Sequence, residues 1–316
     1  MAWPAYIESG PTREPDGLLG SANAGRAGVP RAGHPGASID GIDRSEEVLG
    51  HVTEAEAEFG HVEVRGVALA FGHRRVFDGL DCDFARGRIS VLMGGSGTGK
   101  STLLRMIGGL QKPDAGSVRV AGDVIETLDE AGLAKVRNRL GMLFQNGALL
   151  DSMSVFDNVA LPLREHTDQT ESEIADRVHD RLAAVGLLDV DDLLPGELSG
   201  GMLRRAALAR AIVTEPEILL CDEPFSGLDP PNVSRIEALL THLNRDRGLT
   251  LIVTSHHMAT SLRMAHRILL LRNGGCVEGS PAELASSRDS AIREFLGKDG
   301  AEHLSRLGRE AQGAKG

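Results

Sequence analysis

From about His61 the chain alternates short apolar runs with helical patterns and glycine-bearing connections. That texture predicts an α/β fold on a largely parallel sheet. Three runs are short and apolar enough to be buried strands: Ile89 to Met93, Ile218 to Cys221 and Leu251 to Thr254. After the first, Leu103, Ile107 and Leu110 recur at helical spacing on one face. A second helix opens behind Ser199, a good N-cap, and carries Leu203, Ala207 and Ala211 with the adjacent Leu208 and Ile212 as an apolar stripe. Between them an amphipathic pattern places Ile174, Val178, Leu182 and Val185 together, and these read as core positions. Arg204 and Arg205 read as solvated helix charges or members of ion pairs. Apolar runs such as Ile268 to Leu271 are a few residues long, whereas a membrane-crossing helix needs about 20.

Composition changes the picture mainly at the N-terminus. The first 40 residues hold seven Gly and five Pro, so 1–59 is expected to be a disordered Gly/Pro/Ala-rich extension. Residues 1–60 also hold ten acids against four arginines, more than half of the net charge of −11. The remainder is only mildly acidic, which disfavours a nucleic-acid partner, since phosphate neutralisation needs clustered Lys and Arg. The three cysteines, Cys82, Cys221 and Cys276, form no CxxC pair and suggest neither a disulfide framework nor a zinc site. The N-terminus lacks the basic segment and apolar core of a secretory leader, so a cytoplasmic location is expected.

The chemistry concentrates behind the apolar runs. Ile89 to Met93 is followed by Gly94, Gly95, Ser96, Gly97, Thr98, Gly99, Lys100, Ser101 and Thr102, and then by a helix. In this spacing, G-x-x-x-x-G-K-S, glycines let successive backbone N–H groups turn toward phosphate oxygens, and the helix dipole adds to the attraction. Lys100 is placed to hold the β and γ phosphates, and Ser101 to offer a hydroxyl to Mg²⁺. The second run ends in Asp222-Glu223-Pro224, two carboxylates at the carboxyl end of a strand, where open α/β sheets bind ligands. Asp222 is suited to the Mg²⁺ shell and Glu223 to polarising an attacking water. The third run enters Ser255-His256-His257. The adjacent histidines leave the assignment open by one position, and His256 is preferred because it directly follows the strand-ending Thr-Ser. Ser199, Gly200 and Gly201 at a helix start form a second anion-binding feature, which one nucleotide does not need and a shared nucleotide would.

With a phosphate loop, LSGG, a DE pair, Ser226-Gly227-Leu228-Asp229 and a terminal His in this order, the sequence resembles the ATP-binding-cassette (ABC) ATPases over 61 to about 297. The resemblance implies an α/β P-loop core at 60–297, with a mostly parallel sheet, flanking helices and a small antiparallel β region. It also implies an inserted α-helical subdomain at about 150–205 and a C-terminal tail at 298–316. ATP and Mg²⁺ are the implied cofactors. The implied assembly is a head-to-tail homodimer with nucleotide at the interface: Ser199 and Gly201 act in trans, Asp229 lies at the seam, and Phe71 stacks on adenine. Gln145 would contact Mg²⁺ and sense a membrane partner. Two positions depart from the pattern: Met202 stands where Gln is common, and Phe71 where Tyr is frequent.

FQNGALL, FDNVALPLREH and LSGGMLRRAALARAI, beginning at Phe144, Phe156 and Leu198, are further similar to the MlaF-type ATPases of Mla/Mce phospholipid transport systems. That resemblance implies an ATPase on the cytoplasmic face of the inner membrane, an integral membrane permease and an Mce-domain lipid-binding protein. The alternatives are an ABC importer ATPase for a polar solute and a non-transport ABC ATPase. Lys100, Glu223 and His256 would be the catalytic residues, and Ser101, Gln145 and Asp222 the metal-facing ones.

Overall fold

A computed structural model describes residues 60–297 apart from Asn273, Ser290 and Ala291. The N-terminal extension and C-terminal tail expected from the sequence lie outside these residues. Strands β1 (Gly60–Phe71), β2 (Arg74–Ala85), β4 (Ala115–Val120) and β5 (Asp123–Val124) form an antiparallel sheet in the order β2-β1-β4-β5. The second sheet has six strands: β3 (Ile89–Met93), β6 (Leu140–Leu143), β7 (Ile218–Asp222), β8 (Thr250–Thr254), β9 (Arg267–Arg272) and β10 (Gly275–Gly279). Their order is β10-β9-β3-β8-β7-β6, with every pairing parallel except β10 against β9. The mostly parallel sheet with a small antiparallel region is therefore as expected.

Side-chain alternation along the parallel strands divides the interior in two. Val91, Leu219, Cys221, Leu251, Val253, Ile268 and Leu270 face one core. Leu92, Ile218, Leu220, Ile252, Leu269 and Leu271 face the other. The second core is closed by the inner face of the antiparallel sheet, through Val62, Val64, Phe77, Leu80 and Phe84, and by α1 (Lys100–Ile107) and α2 (Glu130–Arg137). α1 ends at Ile107, so Leu110 does not continue its buried face and is 53% exposed.

The first core holds α3 (Val155–His166), α4 (Glu171–Ala184) and α5 (Gly200–Ile212), together with α6 (Pro230–Arg247). α4 starts with a capping box between Thr170 and Glu173, and Ile174, Val178, Leu182 and Val185 are all buried as the spacing requires. α5 is buried on nearly all sides rather than along a stripe, and its small residues Ala206, Ala207, Ala209 and Ala211 permit that close approach. Asn158 on α3 is fully buried and satisfied: its Oδ1 accepts from Leu150 N at 2.7 Å, and its amide donates to the carbonyls of Leu150, Met153 and Ser154. One side chain thus fixes the loop that leads from Gln145 into the helices.

Candidate functional site: a phosphate loop beside a strand-end carboxylate cluster

The loop 94–99 joins β3 to α1 at the carboxyl edge of the parallel sheet. Gly99, with φ +101°, is the residue before the helix, and a Cβ there would stand 2.5 Å from Cζ of Phe77. A side chain is excluded both by backbone conformation and by the packed ring. Because Gly99 offers no capping side chain, the first N–H groups of α1 remain available to an anion. The Lys100 ammonium is buried and donates to the carbonyls of Gly94 and Gly95 at 2.9 and 3.1 Å. Burial holds its pKa below the usual lysine range, and the nearby carboxylates of Glu223 and Asp222 partly offset this. Ser96 and Gly95 are exposed, and Thr98 Oγ1 donates to Gly95 O at 3.0 Å.

β7 and β8 supply the other half. Ser101 Oγ donates to Asp222 Oδ1 at 3.0 Å, and Thr254 Oγ1 donates to the same oxygen at 2.7 Å. Glu223 lies in the left-handed region at φ +49°, an unfavourable conformation for a non-glycine residue. It is held there by its backbone N–H, which is shared between the hydroxyl and carbonyl oxygens of Thr254 at 2.9 and 3.2 Å. Glu223 Oε2 accepts from His256 N at 3.2 Å, while His256 Nε2 lies 3.0 Å from Oε1. Oε1 is buried and accepts no hydrogen bond, with the His256 ring lying against it as its ion-pair partner. His257 instead sets its ring edge-on to Phe225, with centroids 6.0 Å apart. The structure thereby separates the two histidines and puts His256 at the carboxylate.

The remaining sequence-selected residues surround this centre. Gln145 is exposed two residues beyond β6, whose Leu143 pairs with Cys221, so it stands at the same strand-end edge as Asp222. Phe71, 52% exposed, ends β1, and the neighbouring hairpin residue Arg74 donates to Gly97 O at 2.6 Å, joining the Phe71 hairpin to the phosphate loop. Ser199 caps α5 by accepting from Met202 N at 3.3 Å. Met202 packs against the first core, an apolar role that accounts for its side chain at this position. Asp229 caps α6 and accepts from Asn232 Nδ2 at 2.6 Å, and the Asn232 amide lies directly under Gly201, leaving no room for a Cβ. Ser199, Gly201 and Asp229 thus share one neighbourhood. Among the described residues, no hydrogen bond or ion pair links Ser199, Gly200 or Gly201 to residues 94–102.

Arg204 departs from its sequence reading. It is buried, 6% exposed, and donates to Phe144 O at 3.1 Å and Ser226 O at 3.2 Å, so it is neither a solvated charge nor directed at carboxylates. It ties α5 at once to the loop of Gln145 and to the loop after Glu223. Arg205 is buried as well and donates to the carbonyls of Val185 and Gly186. Sequence reasoning missed Thr254, Arg74, Asn232 and the role of Arg204. Thr254 alone left a signal, a hydroxyl at the end of a buried strand next to the one bearing the carboxylates.

No group of three or more His, Cys, Asp or Glu that could hold a metal occurs among the described residues. The donor set of Ser101 and Asp222 nevertheless suits Mg²⁺, which is commonly held by one or two carboxylates plus substrate phosphates. No helix among the described residues is long and apolar enough to cross a membrane.

Comparison with known proteins agrees with this geometry. The family profile described as ABC transporter matches residues 77–226. The chain is 44% identical over 236 residues to the intermembrane phospholipid transport system ATP-binding protein MlaF of Escherichia coli (strain K12), covering 74% of this chain and 88% of that protein. It is 40% identical over 236 residues to the ATP-binding protein mkl of Mycobacterium leprae, named for ribonucleotide transport, over 74% of this chain and 68% of that one. Among solved structures, the dimeric post-hydrolysis state of the ATP-binding cassette MJ0796 bound to ADP and Pi superposes with a TM-score of 0.65 at 31% identity, covering 69% of this chain and 98% of the other. A phosphate loop facing strand-end carboxylates, an LSGG helix and this degree of identity together place the chain in the ABC transporter family, as an ATPase of the MlaF type.

Proposed function

We propose that the chain hydrolyses ATP as the energy subunit of a phospholipid transport system, working as a homodimer under a separate integral membrane permease. One observation carries the catalytic part: the hydrogen-bonded series Ser101–Asp222–Thr254–Glu223, with His256 against Glu223, stands beside a phosphate loop whose lysine is bonded only to loop carbonyls. In this reading Lys100, bonded among the described residues to the carbonyls of Gly94 and Gly95, leaves them for the β and γ phosphates. The backbone of Gly94 to Gly99 with Ser101 and Thr102 cradles them, and Phe71 covers the adenine. Mg²⁺ bound by Ser101 and Asp222, with Gln145 nearby, would neutralise charge on the β and γ oxygens. Glu223 takes the proton of the attacking water through Oε1, which accepts no hydrogen bond, and His256 holds that carboxylate in place and faces the γ phosphate. Positioning and electrostatics supply most of the rate in phosphoryl transfer, and a locked carboxylate suits that demand.

Ser199, Gly200 and Gly201, with Asp229 at their side, have no partner on their own chain's phosphate loop. A second copy brings them over its nucleotide. The helical lobe of α3, α4 and α5, joined to the Gln145 loop, is the part suited to grip a permease and turn with nucleotide state. The phospholipid assignment rests on the MlaF relatives. It implies a peripheral position on the cytoplasmic face of the inner membrane and an Mce-domain lipid-binding protein in the complex.

The test is purification of the tagged protein from its own membranes in mild detergent, with mass spectrometry of co-purifying chains and lipids. A multispanning permease, an Mce-domain protein and phospholipid are expected. A permease with a solute-binding protein would move the assignment to polar-solute import, and a clean soluble ATPase to a non-transport role.

A further inference from the structure

Two of the three cysteines face each other across the gap between the sheets. Cys82 lies on β2 among Phe77, Leu80 and Phe84, on the inner face of the antiparallel sheet, and is 3% exposed. Cys276 lies on β10 directly opposite Leu271 of β9, and residues opposite each other in an antiparallel pair point to the same side. Leu271 faces the second core, so Cys276 faces it too, and it packs partly buried against the cluster that contains Cys82. Two contacts fix the strands at this seam. Asp78 N donates to Gly274 O at 3.2 Å, and the Cys276 thiol donates to Asp81 O at 3.1 Å, one residue from Cys82. Cys221, by contrast, is fully buried on β7 and faces the other core.

We propose that Cys82 and Cys276 are a reversible thiol–disulfide pair that covalently staples β2 to β10 when the protein meets a small disulfide oxidant such as oxidised glutathione. Cys276 is the partly exposed member and reacts first. Its thiolate attacks one sulfur of the oxidant, forming a mixed disulfide and releasing one glutathione thiolate. Cys82 then loses its proton and attacks the Cys276 sulfur, releasing the second glutathione. Two protein thiols lose two electrons, and one disulfide oxidant is reduced to two thiols. The division of labour fits the surroundings: the interaction with Cys82 holds the Cys276 thiol below the ordinary range, whereas the same interaction and burial raise Cys82. The cross-link would tie the hairpin bearing Phe71 and Arg74 to the edge of the sheet that carries the phosphate loop.

The experiment treats the reduced full chain with oxidised glutathione, counts free thiols by maleimide labelling and maps disulfides by peptide mass spectrometry. Two of the three thiols should disappear, with one linked peptide pair containing Cys82 and Cys276, and dithiothreitol should restore all three. Cys221→Ser should still form the link, and Cys276→Ser should keep both remaining thiols free. A stable glutathione adduct on Cys276 with Cys82 still reduced, a disulfide-linked dimer, or three unreacted thiols would each overturn the proposal.

Discussion

Arg204→Met tests whether α5 and the loops bearing Gln145 and Glu223 behave as one body. The substitution keeps most of the side-chain volume but deletes hydrogen bonds to Phe144 O and Ser226 O. Bonds from a charged donor contribute about 1.5–3 kcal/mol each, and distances of 3.1 and 3.2 Å favour the low end, about 3 kcal/mol for the pair. Burial depresses the Arg204 pKa, so the guanidinium carries a desolvation cost that methionine avoids, and this offsets part of the loss. A net destabilisation of at most about 3 kcal/mol follows, which for a domain of this size is a melting-point decrease of no more than roughly 6–12 °C. Turnover should fall further than stability implies, on the order of 10- to 100-fold, because freeing Phe144 and Ser226 loosens both Gln145 and Glu223. ATP affinity should change by less than about threefold, since the phosphate loop is untouched. Arg204→Lys should not rescue, because Phe144 O and Ser226 O are held by different guanidinium nitrogens, Nη1 and Nη2, and a single ammonium nitrogen cannot occupy both positions. The assays are phosphate release, nucleotide binding and thermal unfolding. Wild-type turnover in a destabilised Arg204→Met protein would refute the coupling and leave only packing.

Glu223→Gln should lower turnover by about 10²–10⁴ while preserving ATP binding and favouring a closed dimer on size-exclusion chromatography, and unchanged steady-state turnover would contradict the base assignment. Lys100→Ala should weaken ATP binding itself, and wild-type affinity in a titration would show that the phosphates lie elsewhere. Stability should fall as pH drops below about 6.5. Burial, with Arg86 and Arg139 adding to it and Glu217 partly opposing, holds the folded pKa of His61 below 6.5, and burial with Arg88 does the same for His266. The unfolded chain therefore takes protons that the folded one refuses, between 6.5 and the lower folded values. His61→Gln should flatten that slope in denaturant titrations, and an unaltered slope would remove His61 as a cause. Below 4.5 a second loss is expected as Glu217, whose carboxylate is kept low by the hydrogen bond from Arg139, is protonated.

The parts of the site that proved legible are those whose chemistry depends on local order. Strand, glycine loop and helix are consecutive, so the backbone that turns Gly94 to Gly99 toward an anion is written in one stretch, and β3 falls at the residues its apolar run marks. The carboxylates likewise sit directly on the end of a buried run. Illegible were the links between segments distant in sequence. Thr254 meets Asp222 and Glu223 only because β8 pairs with β7, and a period of two residues says nothing about which strands become neighbours. Arg204 looked like a surface charge because its acceptors are backbone carbonyls, which have no sequence signature. Leu110 departs for a local reason: the helix ends at Ile107 with Gly108 as its C-cap, and apolar spacing continues past the cap.

Exposure sorts the site residues into two sets, and the sorting bears on how the machine is built. Lys100, Asp222 and Glu223 are 7%, 8% and 7% exposed, while Phe71, Gln145, Ser199 and Asp229 lie at the surface. The buried set is already bonded within one chain, yet it keeps a Glu223 oxygen that accepts no hydrogen bond and a backbone strain at that residue, held by Thr254. In the proposed mechanism a carboxylate so confined would need no reorganisation when water arrives, which is what electrostatic preorganisation requires. The exposed set is fixed differently. Asp229 and Asn232 brace Gly201, and Ser199 caps α5, so these groups are held rigidly while their outward faces remain unengaged. In the proposed dimer the Ser199 hydroxyl and the Gly200 and Gly201 amides would gain an anionic partner only when a nucleotide held by another chain reaches them. Under the proposed dimer, hydrolysis therefore waits on closure, and Arg204, which bonds both loops from the helix that Ser199 caps, is where closure on one face would be felt at Gln145 and Glu223.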